Sequence, residues 1–189
     1  MMNSIAYLEA YRADLADAVD KVDLRLVDRA IEWFREAREA ERDIFIFGNG
    51  GSATTASHFV CDMVKGASLN RPMRFRIHSL SDSLPTITAY SNDIDYEVIF
   101  VEQLKNFAKE GDLVVGISGS GNSANVVKAL EYAGSIGCRT IALTGRDGGK
   151  LGPLGDLEIN VPNSNMGRIE NVHMAILHMI SYYFIETKG

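Results

Sequence analysis

Three of the four histidines in the chain, His58, His173 and His178, fall in segments of helical pattern that also carry acids. His58 and Asp62 stand four apart, one turn from each other on one helix face. Glu170, His173 and His178 share a later helix. Helical rotation puts His173 about 60° from Glu170 and His178 about 80° away on the other side, so spacing chooses neither histidine. Imidazole with carboxylate suits a first-row metal, and zinc accepts it in tetrahedral geometry. The same groups, metal-free, suit proton transfer, a carboxylate removing a carbon-bound proton and a histidine serving as the acid. Both uses require the two helices to meet. The bland use, a structural His/Asp hydrogen bond on one helix, stands beside them.

A second cluster is built of hydroxyls. Ser118, Ser120 and Ser123 alternate with Gly116, Gly119 and Gly121 between an apolar run ending at Val115 and a helical pattern from Ala124. Backbone N–H groups at a helix start then converge with hydroxyl donors, which is the chemistry of a phosphate cradle. The order S-G-S-G-N-S lacks the lysine of a P-loop and the G-x-G-x-x-G of a dinucleotide turn. A phosphorylated small molecule fits it better than a magnesium triphosphate. The turn Gly48-Asn49-Gly50-Gly51-Ser52 repeats the arrangement, following the apolar run 43–47 and opening the helix 53–65 that carries His58. An ordinary capped strand-to-helix turn is the plain alternative for the first of them taken alone.

These groups are positioned by alternating strands and helices. Strands are expected at 43–47, 72–80, 112–117, 139–143 and 157–161, with Met73, Phe75 and Ile77 on one face of the second. Helices are expected at 53–65, 84–90, 96–107, 124–136 and 166–186, the third with Val98, Phe100, Val101, Leu104 and Phe107 as core candidates. Such alternation predicts a parallel sheet with right-handed crossovers, its ligands bound at the carboxyl ends of the strands. Two helices, 5–20 and 24–41, come before any strand. With no sheet yet to cover, their apolar faces are expected to pack against another subunit.

The chain has 189 residues, 46% of them hydrophobic, enough for one full core, so one domain over 1–189 is expected, with a helical pair at 1–41 and an α/β core at 42–189. A net charge of −6 argues against a sequence-independent nucleic-acid binder. Cys61 and Cys138 lie far apart without metal or redox spacing and are expected to be buried free thiols. The first twenty residues lack the pattern of a signal peptide, and no apolar run reaches membrane-spanning length, so a cytoplasmic protein is expected.

Several of these stretches together resemble one family. GNGGS at 48–52, ASHF at 56–59, Asn92-Asp93, GISGSGNSANVVKA at 116–129, ALTGRDGGK at 142–150 and R-I-E-N-x-H-x4-H at 168–178 resemble the sugar isomerase (SIS) fold, and within it the phosphoheptose isomerases. The resemblance spans nearly the whole chain. It implies a three-layer α/β fold with a five-stranded parallel sheet, a homotetramer with active sites at subunit boundaries, and conversion of sedoheptulose 7-phosphate to D-glycero-D-manno-heptose 7-phosphate. It further implies that Ser52, Ser118, Gly119, Ser120 and Ser123 bind phosphate, that Asn49, Gly50, Gly51 and Asp93 contact substrate, and that His58, Asp62, Glu170 and His178 hold zinc. Among these, Asp62 matches the general base and His178 the general acid, with Glu170 also facing substrate.

The chain departs from the family at two of these positions. The family usually has Glu where this chain has Asp62, and Gln where it has Glu170. Asp is one methylene shorter, and Glu170 brings a charge in place of an amide. A working isomerase, an isomerase of another sugar phosphate, and a non-catalytic tetrameric binder like the replication-initiator-associating relatives are all compatible with that. A sugar-phosphate-sensing transcription regulator lacks support, because no helix-turn-helix unit precedes the fold.

Overall fold

The computed structural model describes residues 3–187. Five parallel strands, β1 (Asp43–Gly48), β2 (Arg76–Ser79), β3 (Leu113–Ser118), β4 (Arg139–Gly145) and β5 (Leu157–Val161), form one sheet in the order β2-β1-β3-β4-β5. All six residues of β1 and of β3 are buried, as strands covered on both faces must be. The helices are α1 (Ser4–Asp20), α2 (Leu24–Glu39), α3 (Gly51–Cys61), α4 (Leu84–Asp93), α5 (Val101–Phe107), α6 (Ala124–Ser135) and α7 (Met166–Thr187). One face of the sheet, with Ile44, Ile46, Val115, Ile117, Leu143 and Ile159, packs on α2, α3 and α7. The other, with Phe45, Phe47, Val114 and Ala142, packs on α5 and α6. Three layers result. Among the described residues no helix is long and apolar enough to cross a membrane.

The leading helices divide their work. Asp23 caps α2 by accepting from the Arg25 N–H at 3.0 Å, and Val27, Ala30, Ile31, Phe34 and Ala37 are buried against this chain's own sheet and α7. Contrary to expectation, α2 therefore has its sheet. Strands later in sequence fold back beneath it, which reading the chain in order does not reveal. Helix α1 leaves several apolar side chains uncovered, whereas α2 leaves Leu24 at its start. Ala18 is the one buried residue of α1, while Ile5, Tyr7 and Leu8 are more than half exposed.

Other expectations change at element ends. The second strand pairs with β1 only from Arg76 to Ser79, so Met73 lies outside the ladder and is exposed, while Phe75 and Ile77 are buried. The helix expected over 96–107 is split. The Asp95 carboxylate accepts from the Glu97 N–H at 2.7 Å and starts a short 3-10 turn, Tyr96–Val98, before α5 begins; Phe107 ends exposed. Helix α4 runs on through Asp93, and β3 through Ser118. Cys138 is buried as expected, but Cys61 is exposed on α3.

Helix α7 carries His173 into the core, where its Nε2–H donates to the Thr144 carbonyl at 2.8 Å. Burial is the main cause that pushes its pKa down to about 4, the hydrogen bond offsetting part of it. An unfolded histidine titrates near 6.5. The neutral ring is thus favoured in the fold. Its contribution to stability is complete above pH ~6.5 and is lost as pH falls towards 4, at a slope approaching about 1.4 kcal/mol per pH unit. Urea unfolding between pH 7 and pH 5 should show a steeper loss for the native chain than for His173→Gln; equal slopes would remove His173 as the cause.

Candidate active site

Strands β1 and β3 are neighbours, but the chain leaves them in opposite directions, towards β2 from one and towards β4 from the other. Their carboxyl ends thus flank the crevice at which open α/β sheets bind ligands. Gly48 ends β1. A Cβ there would fall 2.9 Å from the Ile117 carbonyl and 2.6 Å from the Ser52 Cβ, so only glycine lets the turn fold this closely on β3. Gly50 follows with φ +53°, and α3 starts at Gly51 with Ser52 buried in its first turn.

The turn after β3 gathers its hydroxyls. Ser118 Oγ lies 3.0 Å from Ser123 Oγ and 3.4 Å from Ser120 Oγ. Gly121 takes φ +65° to close the turn, its N–H donating to the Ser118 carbonyl at 2.9 Å, and Ser123 is the residue before α6. The amino ends of α3 and α6, each with positive dipole character, open on the same crevice. A cavity of about 570 Å³ beside Ser120 and Asn122 reaches Arg146, a non-glycine residue held at φ +55°. The two turns are joined by Asn49 and Asn125, whose amides pair at 2.8 and 3.0 Å. Asn125 escapes sequence reading. Its one signal is an amide in the first turn of a helix whose neighbouring positions are apolar.

The two histidine helices meet. His58 Nε2 on α3 and His178 Nε2 on α7 are 2.9 Å apart. Asp62 Oδ2 lies 3.5 Å from the first and 3.7 Å from the second. Asp62 begins a π-helical turn, Asp62–Gly66, that widens the end of α3, with the Ala67 N–H donating to its carbonyl at 2.9 Å. Buried Ser181 on α7, also missed in the sequence, donates to Asp62 Oδ2 at 3.3 Å. His58 is half exposed, and His178 nearly so.

Other site candidates lie elsewhere. His173 is in the core, so of the two histidines on α7 it is His178 that faces His58. The Glu170 carboxylate is not part of this cluster; it lies over Gly51, where a Cβ would sit 2.9 Å from its Oε1. An acid there is favoured by the amino end of α3. Asp93 ends α4 exposed, accepting from the Asn92 amide at 2.8 Å in a groove with Pro85, Tyr90 and Ile94. A separate cleft at the amino ends of the strands, lined by Trp33, Arg42, Cys138 and Arg139, holds none of these residues.

The cluster fits a metal. Its two imidazole nitrogens and one carboxylate oxygen all lie within 4.8 Å of one another, and a pair of histidines with one carboxylate is a donor set of catalytic zinc sites that keep an open position. Glu170 would have to swing away from Gly51 to join them.

A model of the SIS domain matches residues 6–145. The phosphoheptose isomerase of Helicobacter pylori is 36% identical over 176 residues, 93% of this chain and 88% of its own length. Among solved structures, the phosphoheptose isomerase GmhA of Neisseria gonorrhoeae superposes with a TM-score of 0.88 at 30% identity, covering 96% of this chain and 98% of that one. That of Francisella tularensis superposes with a TM-score of 0.91 at 27% identity, covering 98% of this chain and all of that one. The sheet order, the paired Gly-rich turns and these likenesses agree: the chain belongs to the SIS-domain family and, within it, to the group of the phosphoheptose isomerases.

Proposed function

We propose that this chain is a cytoplasmic isomerase that converts sedoheptulose 7-phosphate to D-glycero-D-manno-heptose 7-phosphate, its 189 residues acting as one unit. The observation that carries the reading is the meeting of His58, Asp62 and His178 across α3 and α7, on the same helix whose first turn holds Ser52. Along α3, Ser52 and His58 are separated by a rise of ~9 Å. A sugar with phosphate at one end and a carbonyl at the other spans such a distance.

In this reading Ser52, Ser118, Ser120 and Ser123, with the backbone at Gly119, hold the phosphate and so orient the sugar. Asn49, Gly50, Gly51 and Asp93 contact the sugar, and Glu170 faces it over Gly51. Asp62 takes the proton from C1 while His178 protonates the C2 carbonyl oxygen, giving an enediol. Loss of the proton on O1 and delivery of one to C2 complete the aldose, and no external oxidant or reductant is needed. Asp62 Oδ2 is the oxygen turned towards both imidazoles and Ser181, which leaves Oδ1 for the substrate proton. The shorter Asp side chain works from the widened turn that begins at its own position. Zinc bound by His58, Asp62 and His178 would polarise the carbonyl oxygen and stabilise the negative charge that develops on it.

The assembly in this reading is a homotetramer with active sites at subunit boundaries. Ile5, Tyr7 and Leu8 on α1, together with Tyr182 on α7, supply exposed apolar surface. Asp93 lies on an exposed helix end with no contact to the histidine cluster of its own chain, as a residue offered to a neighbour's site would.

Incubation with sedoheptulose 7-phosphate in deuterated water, with and without added zinc, should yield the aldoheptose phosphate and deuterium exchange at C1. No product and no exchange in either arm would sink the reading. Asp62→Asn should lower the exchange rate by about 10²–10⁴-fold; an unchanged rate would move the base to Glu170. Sedimentation at micromolar concentration should give the mass of four chains, and a monomer would remove the assembly.

A further inference from the structure

We infer that Tyr96 and Asn125 are positioning residues that lock the Asn49 amide so that it meets the sugar only as a hydrogen-bond donor, which makes the site selective for a ligand oxygen lone pair at that point. The inference rests on the isomerase reading for what the ligand is, and on the following geometry for the lock itself.

The orientation is fixed by a group that can act in one way only. The Val126 backbone N–H, in the first turn of α6, donates to Asn125 Oδ1 at 2.9 Å. A backbone N–H cannot accept, so this identifies which side of the Asn125 amide is oxygen. The opposite side, Nδ2, then donates to Asn49 Oδ1 at 3.0 Å, and Asn49 Nδ2 donates back to Asn125 Oδ1 at 2.8 Å. The Tyr96 hydroxyl donates to the same Asn49 Oδ1 at 2.7 Å. Asn49 Oδ1 therefore has both lone pairs engaged, by Asn125 and by Tyr96. Its Nδ2 has one hydrogen engaged, and the second has no partner among the described residues.

A flipped Asn49 would set its NH2 against the NH2 of Asn125 and leave its Oδ1 facing the oxygen of Asn125. Two repelling contacts would replace two hydrogen bonds. Asn125 is 2% exposed, so an unpaired amide there would carry a full desolvation cost. What Asn49 shows to the crevice is consequently one N–H. It can recognise a hydroxyl, carbonyl or enediolate oxygen, and it gains strength as negative charge grows on that oxygen. Tyr96 brings the control from outside the two turns, because it stands in the 3-10 turn directly after α4, three residues from Asp93. The segment that carries one substrate-contact candidate thus also sets the polarity of another.

Tyr96 is half exposed, so Tyr96→Phe removes the hydroxyl without disturbing the core. With sedoheptulose 7-phosphate, Tyr96→Phe should lower kcat/KM about tenfold, the scale of one hydrogen bond, with an unchanged melting temperature. In an Asn49→Ala background the same substitution should have no further effect, because Tyr96 acts only through that amide. A full additional tenfold loss in that background would overturn the proposal. The side-chain amide signals of Asn49 in a 15N-labelled sample give a readout independent of turnover. They should be two separate, slowly exchanging resonances in the native chain, and should move in Tyr96→Phe. Unmoved signals would overturn the lock. A native chain inert towards the sugar phosphate would sink the isomerase reading alone, and the amide spectrum would then decide the lock by itself.

Discussion

The structure depends on two parallel strands ending side by side while their connections part. Because β1 feeds β2 on one side and β3 feeds β4 on the other, neither following turn can be covered by the other's crossover, and both must face one crevice. Gly48 lets the first turn press on Ile117, and the Asn49–Asn125 pair then ties the turns together across the gap. The hydroxyls of Ser120 and Ser123 both lie within 3.4 Å of that of Ser118. Two helix dipoles add their positive ends. The positive character of the crevice at this point follows from topology, with no cationic side chain inside the turns.

The histidine cluster is held differently. The His58, Asp62 and His178 cluster depends on packing between α3 and α7, two helices joined through the apolar layer that includes Phe59, Ile176 and Ile180. Phe34 meets Phe59 edge-on at 5.3 Å and so fixes α3 from below. The side chains of this cluster are exposed to a degree that those of the core are not. Ser181 is the one buried hydroxyl tying the cluster to the core side of α7.

The two turns were legible in the sequence because glycine and serine at those spacings admit few other conformations, and the parallel sheet followed from the alternation of elements, whereas the strand order is seen only in the structure. The place of α2 was not, since a helix that precedes the first strand gives no sign of which later strand it will cover. Met73 and Phe107 fit the local apolar periodicity, yet Met73 precedes the pairing, which starts at Arg76, and Phe107 is the last residue of α5; both are exposed. Spacing could not separate His173 from His178. The difference is whether the ring reaches the Thr144 carbonyl under the sheet or the facing helix, a tertiary fact. Resemblance to the family pointed to His178, and the geometry places that ring beside His58. Resemblance also grouped Glu170 with the histidines; its carboxylate rests over Gly51. Nothing local in the sequence marks Asn125 or Ser181, because their roles exist only once distant segments touch.

The contact between His58 and His178 joins positions 120 residues apart. On a ribosome, both Gly-rich turns and the asparagine pair are synthesised well before α7 emerges. The nascent chain thus possesses every residue of the two Gly-rich turns while it still lacks one partner of the histidine cluster. The cluster of His58, Asp62 and His178 therefore waits on α7, and any product of premature termination before that helix would be without it.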